Sequence, residues 1–440
     1  MVRPKAAFYH QSVTFGPRFK VVTCESDVRG VEHAPRDASR HKQPIQRREQ
    51  RHRSRLHTDS SISHPDRAPT RSGFIPVVLN IQILRGIAAA LVIWVHAQEL
   101  IVRDVLPHSI KQFGYGGVDL FFVISGFIMV HITKNRNINI FELMKKRIYR
   151  IAALYYLFTL AALSAILLKG LDNGPMVDIG DTIRSLTFIP FEKEDGRLYP
   201  IYYLGWTLNY EMFFYSIFGV SLLFHKHIRV AFISIILIIL SIVGIFIENL
   251  SDHGVLAFFY TRPIVLDFVV GMLIAVCVPV PGRSSNAVPW WGCLAVGTAW
   301  FVFGGEFFVI GSIPVAPPTD TFFRFGVPSG LIVAGAAGLE RSQTRIGTAL
   351  MQRAGDASYS IYLSHYFFVA SVIAVVDQLA LGDPLRLLLA PITTMLSIAV
   401  GFCTYHLLER PLAGDLGIYR RFWRHGRATV KSKEERISDG

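Results

Sequence analysis

Two residue types on one apolar stretch carry the first chemical hint. The segment NIQILRGIAAALVIWVHAQEL holds Arg85 and His96 eleven residues apart. At 100° per residue that spacing lies within about 20° of three full turns, so both side chains share one helix face, about 16 Å apart along the axis. Charges within a span are costly unless they meet a partner or a polar cavity. A histidine here suits removal of a hydroxyl proton near neutral pH; the plainer reading is a histidine hydrogen-bonded between helices. GYGGVDLFFVISGFIMV comes next, with three glycines permitting close backbone approach and Asp119 inside the apolar run. Asp119 needs a cation or donor, and Arg85 or His96 are the candidates, unless it serves only the positive end of its own helix.

Further along, FELMKKRIYR gathers Lys145, Lys146, Arg147 and Arg150. Arg147 and Arg150 are i,i+3 neighbours on one face, and paired guanidinium forks match phosphate oxygens. Such clusters also serve simply as the positive-inside signal. In YYLGWTLNYEMFFYSIFG, Glu211 stands among aromatics beside Trp206, Asn209 and Tyr210. It is read as orienting His96, as an acid, or as a structural carboxylate. GDASYSIYLSHYFFV brings Ser358, Tyr359, Ser360, Tyr362, Ser364 and His365 onto one helix; His365 reads as a second site histidine or an interface residue. In HLLERPLAG, Pro411 is expected to end the last helix, with Glu409 pairing Arg410 or Arg353 at the surface.

These residues need elements to hold them, and composition says which kind. The chain has 440 residues, 51% of them hydrophobic and 18% charged, against about 25% charged in soluble domains. Apolar runs long enough for a bilayer core recur near 77–98, 114–133, 148–169, 201–224, 229–248, 258–279, 289–310, 324–340, 358–380 and 386–408. The expected fold is all-α, a polytopic integral membrane protein of about ten transmembrane helices. The 258–279 run, interrupted by Asp267, and the short Gly-rich 324–340 run carry the weakest signal. Even-numbered loops hold the lysines and arginines, and the 170–200 loop holds more acids than bases. By the positive-inside rule both termini lie in the cytoplasm.

The net charge of +13 sits at the ends. Residues 1–73 carry 15 Lys/Arg against 7 Asp/Glu with no apolar periodicity, which reads as a disordered basic tail or a misassigned start. Residues 74–412 form the membrane domain and 413–440 a basic cytoplasmic tail. Basic ends on an apolar body favour an anionic lipid surface over nucleic acid, for which no aromatic-interleaved fold is visible. The four cysteines form no CxxC pair or metal spacing, so neither disulfides nor a metal is expected.

Taken in order, NIQILRG…WVHA, GVDLFFVISGFIM, RIYR, WTLNYEMFFY, GDASYSIYLSHYF and HLLERPL resemble the membrane-bound acyltransferase family 3, in its exopolysaccharide acetyltransferase branch, over about residues 77–412. The resemblance implies that Arg85 and His96 carry the family's Arg-x10-His pattern and that Arg147 and Arg150 carry its Arg-x-x-Arg step. It implies an acyl-CoA donor, usually acetyl-CoA, and a surface carbohydrate or lipid-linked saccharide as acceptor, at a bacterial inner membrane. On that basis His96, Glu211 and Asp119 are expected to be catalytic, and Arg85, Arg147, Arg150 and Lys146 to hold the donor. Trp206, Asn209, Tyr359 and His365 are expected to contact substrate. The long basic N-terminal extension departs from the family pattern, and no fused hydrolase domain is expected after the membrane part. The competing readings are a transporter or flippase of a lipid-linked sugar or acyl group, and a scaffold protein.

Overall fold

The structure is a computed structural model, describing residues 78–102, 113–134, 140–170, 177–193, 198–247, 254–280, 286–307 and 321–414. The basic N-terminal tail and nearly all of the C-terminal one lie outside these residues. Among the described residues there are helices and no strands. In a bilayer this arises from the backbone, because a helix satisfies its own N–H and C=O groups where water is absent.

In chain order the helices are α1 (Leu79–Ala97), α2 (Gly116–Thr133), α3 (Ile140–Gly170), α4 (Ile179–Leu186), α5 (Gly205–Ser221), α6 (Arg229–Ile247) and α7 (Val255–Tyr260). They continue as α8 (Leu266–Cys277), α9 (Val288–Phe307), α10 (Val327–Arg341), α11 (Ala349–Asp356), α12 (Ser358–Gln378), α13 (Asp383–Thr404) and α14 (Arg410–Gly414). Every apolar run expected to span has a helix. Seven segments among the described residues are long and apolar enough to cross a membrane: Leu79–Val102, Gly116–Thr133, Phe141–Leu168, Arg229–Ile247, Phe322–Arg341, Ser358–Gln378 and Asp383–Leu412. Pro263–Cys277 and Val288–Gly304 are shorter apolar helices, and α5 has 17 residues.

The helices divide into an inner and an outer set. The most apolar window of α6 has mean hydropathy 3.2 yet only 22% of it is buried, so most of its isoleucines, Ile233 excepted, face the lipid position. The window of α2 is less apolar, at 1.7, but 67% buried, which makes α2 a core helix. Its close packing depends on small residues, as membrane helix pairs generally do. A Cβ on Gly117 would come within 2.7 Å of the Ala88 carbonyl of α1, and one on Gly271 of α8 would collide with the Val123 carbonyl. The close approach expected from the glycines of GYGG is therefore made against α1 by Gly114 and Gly117, and against the Phe301 and Phe325 rings by Gly116.

Three π-helical turns interrupt the regular helices, at Gln98–Val102, Phe322–Gly326 and Tyr405–Glu409. Such turns insert one residue and rotate the helix beyond them. The last one changes the end of the chain. Pro411 does not stop the helix there; α14 continues to Gly414 beyond the π turn. Glu409 is 4% exposed rather than at the surface, and accepts a 2.5 Å hydrogen bond from Ser360 Oγ.

Candidate functional site

Five helices, α1, α2, α3, α5 and α12, surround a cavity of ≈ 80 Å³ lined by both charged and apolar side chains. Arg85 enters it from α1, Arg147 and Arg150 from the start of α3, and Glu211 from α5. The i,i+3 spacing places the two α3 arginines on the same inward face, while Lys146 points outward to an exposed ion pair with Glu142 at 3.9 Å. Glu211 accepts hydrogen bonds from Ser125 Oγ at 3.2 Å and from the Tyr215 hydroxyl. The Arg147 guanidinium carbon lies 5.7 Å from the centre of the Tyr215 ring, within Coulombic range of Glu211. Arg85 Nη1 donates to Gln82 Oε1 at 3.2 Å, and Gln82 Nε2 donates to Asp356 Oδ1 at 2.7 Å. The buried Glu409 carboxylate faces both Arg85 and Arg150. The result is a pocket with three arginines and one carboxylate, Glu211, on its walls, and the Glu409 carboxylate behind them.

The cavity stops at a polar partition. The Tyr362 hydroxyl lies 2.7 Å from Thr207 Oγ1 and donates to the Leu204 carbonyl at 3.2 Å. Phe121 packs edge-on against the Tyr362 ring, centroids 5.9 Å apart. One turn further along α12 stand the two histidines. His96 Nδ1 and His365 Nε2 are 2.9 Å apart, and His365 Nδ1 is 2.6 Å from the Tyr362 carbonyl.

Those contacts assign the tautomers. A carbonyl only accepts, so His365 Nδ1 carries a proton and donates it to Tyr362. In the neutral ring, His365 Nε2 is then an acceptor, and the proton between the rings belongs to His96 Nδ1. His96 Nε2 is left with an open lone pair, as a general base requires. His96 remains half-buried, with the edges of Tyr203 and Tyr366 against its ring at 5.9 Å each.

The shared face expected for Arg85 and His96 is thus real in a specific sense. Both face α12, Arg85 beside Tyr359 in the cavity and His96 beside His365 beyond the partition. Tyr359 lines the cavity and donates its hydroxyl to the Ile151 carbonyl of α3. Other expected residues fall elsewhere. Asp119 is 4% exposed and its carboxyl meets that of Asp267 on α8, not Arg85 or His96. The reason is angular: Phe121 and Ser125 face the cavity, and residue 119 lies about 200° from residue 121 on the same helix. Trp206 packs on Tyr210 with centroids 6.1 Å apart. Asn209 is 1% exposed, and its amide has no hydrogen-bond partner among the described residues. Glu211 belongs to the arginine cavity, and the group that orients His96 is His365.

Sequence reasoning missed Tyr203, Tyr366, Thr207 and the inward turn of Glu409. Tyrosines are common at membrane interfaces, so their types gave no signal. Glu409 was expected at the surface beside Arg410 or Arg353; at the π turn Tyr405–Glu409 its carboxylate instead accepts from Ser360.

Helices of bilayer-spanning length around a histidine pair and an arginine pocket define a multi-pass membrane protein with an internal polar site. The acyltransferase family 3 profile, described as an acyltransferase domain, matches residues 78–406, so the chain belongs to that family. It is 36% identical over 301 residues to the exopolysaccharide production protein ExoZ of Rhizobium meliloti (strain 1021), covering 68% of this chain and 89% of that relative. No solved structure matches the chain.

Proposed function

We propose that the protein moves an acyl group, acetyl in the first instance, from acyl-CoA to a hydroxyl of an exopolysaccharide or its lipid-linked precursor. Membership of the family supports acyl transfer, and the part played by the Rhizobium relative in exopolysaccharide production supports a polysaccharide acceptor. The observation that carries the reading is the wiring of His96: its Nδ1 is committed to His365, so Nε2 is the base.

In this reading Arg147 and Arg150 hold the donor's phosphates at the cytoplasmic end, and Arg85 offsets negative charge deeper in the cavity. Glu211, held by Ser125 and Tyr215, fixes the arginine face, and Lys146 steers the donor from outside. The thioester end reaches His96 when the Tyr362–Thr207 contact opens. His96 Nε2 takes the acceptor's hydroxyl proton as the oxygen attacks the thioester carbonyl. The C–O ester bond forms, the C–S bond breaks, and the proton passes to the departing thiolate, giving an O-acyl sugar and free CoA. His365 stabilises the charged His96 ring during transfer through the shared hydrogen bond.

The test uses the full chain in lipid nanodiscs with acetyl-CoA labelled in the acetyl group. The acceptor is oligosaccharide released from the exopolysaccharide of the host strain. Wild type is expected to release CoA and form alkali-labile acetyl ester in equal amounts, and His96→Ala to do neither. Ester formation undiminished in His96→Ala overturns the proposal, as does movement of lipid-linked sugar across the bilayer with no thioester cleaved.

A further inference from the structure

We infer that Tyr199, Tyr203 and Tyr366 form a pyranose-binding cup that presents the acceptor hydroxyl to His96 from the end of the bundle opposite the arginines. The inference rests on the acyl-transfer reading and supplies the second substrate's seat. His96 keeps part of its surface open, yet neither it nor His365 lines the arginine cavity. The open surface therefore belongs to a different approach. On that side Tyr203 and Tyr366 lie nearly parallel, interplanar angle 25° and centroids 5.4 Å apart, and both stand nearly perpendicular to the His96 ring, at 78° and 84°. Tyr199 extends the array, edge-on to Tyr203 at 5.2 Å. The Lys193 ammonium lies 4.3 Å from the centre of the Tyr199 ring, adding a hydrogen-bond donor at the rim.

This arrangement suits a sugar. A pyranose ring has C–H faces that lie on aromatic rings and hydroxyls that bond phenol oxygens and an ammonium, and tyrosine supplies both surfaces in one rigid side chain. An acyl chain would need only the apolar part. The ordinary alternative is an interfacial aromatic belt, whose members face lipid; here Tyr203 and Tyr366 converge from two separate segments, 199–203 and α12, on one histidine, and Tyr199 backs Tyr203. Entry from this end also keeps the acceptor away from the arginines, so the two substrates meet only at His96.

The probe is the same host oligosaccharide, with cellohexaose as a neutral pyranose chain. Binding to the full chain in nanodiscs is read by saturation-transfer NMR without donor, and acceptor KM and kcat are read in the acyl-transfer assay. Tyr203→Leu and Tyr366→Leu are expected to raise the acceptor Kd and KM about tenfold, the loss of one ring contact, with a smaller change in kcat. Tyr203→Trp is expected to stay within about threefold of wild type, because the ring face is kept. If either leucine variant fails to accumulate, Tyr199→Leu at the rim gives the same readout with less disturbance. Unchanged oligosaccharide binding in the leucine variants overturns the cup, and so does equal weakening by tryptophan and leucine. Ester formation with acceptor KM unmoved by these variants would sink the cup alone. Tyrosine-dependent binding with no ester formed would sink the acyl-transfer reading alone.

Discussion

The two ends of the site are built on different principles. The arginine end is charged and over-determined: Arg85, Arg147 and Arg150 converge with Glu211 and Glu409, Arg85 donates to Gln82, and hydrogen bonds from Ser125, Tyr215 and Ser360 hold the two carboxylates. The histidine end carries little formal charge and depends on direction. One carbonyl orients His365, His365 orients His96, and tyrosine edges fill the rest. A pocket of fixed cations suits holding a polyanion through a whole reaction cycle. A wired, neutral imidazole suits a proton that must leave and return. Substitutions at the first end should therefore appear in donor binding, and those at the second in turnover.

The sharpest break in this comparison is expected from His96→Ala. Loss of a positioned general base costs about 10²–10⁴ in rate, so kcat should fall by that much while the protein still accumulates in the membrane. A burst of labelled acetyl-protein in wild type, absent from the variant, would add an acyl-histidine step at the same atom. Next comes Arg147→Ala, where removing a charge-assisted contact worth about 1.5–3 kcal/mol should raise donor KM roughly 10–100-fold with a smaller change in kcat. If kcat fell instead and KM held, the division between the ends would be wrong.

His365→Gln should act on the other end alone. Misplacing a reacting group by about 1 Å costs on the order of 10²-fold, so kcat is expected to drop about 10–100-fold and its pH profile to move, with donor KM unchanged. A matching rise in donor KM would mean the histidines also hold the donor. Glu409→Ala should lower the thermal midpoint in detergent, since it strands Ser360 beneath two arginines; an unpaired buried polar group costs about 1–3 kcal/mol. The smallest effect belongs to Lys146→Ala. Its ion pair with Glu142 has both side chains more than half exposed, and such pairs contribute about 0–1 kcal/mol. Any change should be confined to the salt dependence of donor KM.

Local periodicity carried the sequence reading a long way. The length and apolarity of each run placed a helix at every expected span, because a bilayer leaves the backbone no other solution. An offset of eleven from Arg85 to His96, and of three from Arg147 to Arg150, placed each pair on one face because helical geometry alone sets that relation. The family motifs added the order in which those faces occur, and they led to the family itself.

What the sequence left open was which face meets which. Asp119 has the same residue type and depth as a catalytic acid would, yet it turns to Asp267, because the α2 face that carries Gly126 packs on α8. His96 and His365 are 269 positions apart, and no period on either helix announces that they touch. The partition at Tyr362 and Thr207, the tyrosines around His96 and the inward turn of Glu409 likewise exist only once the bundle closes. Helical repeat fixes direction and height along one rod; the neighbour that completes a hydrogen bond is chosen by how the rods pack, and that choice is tertiary.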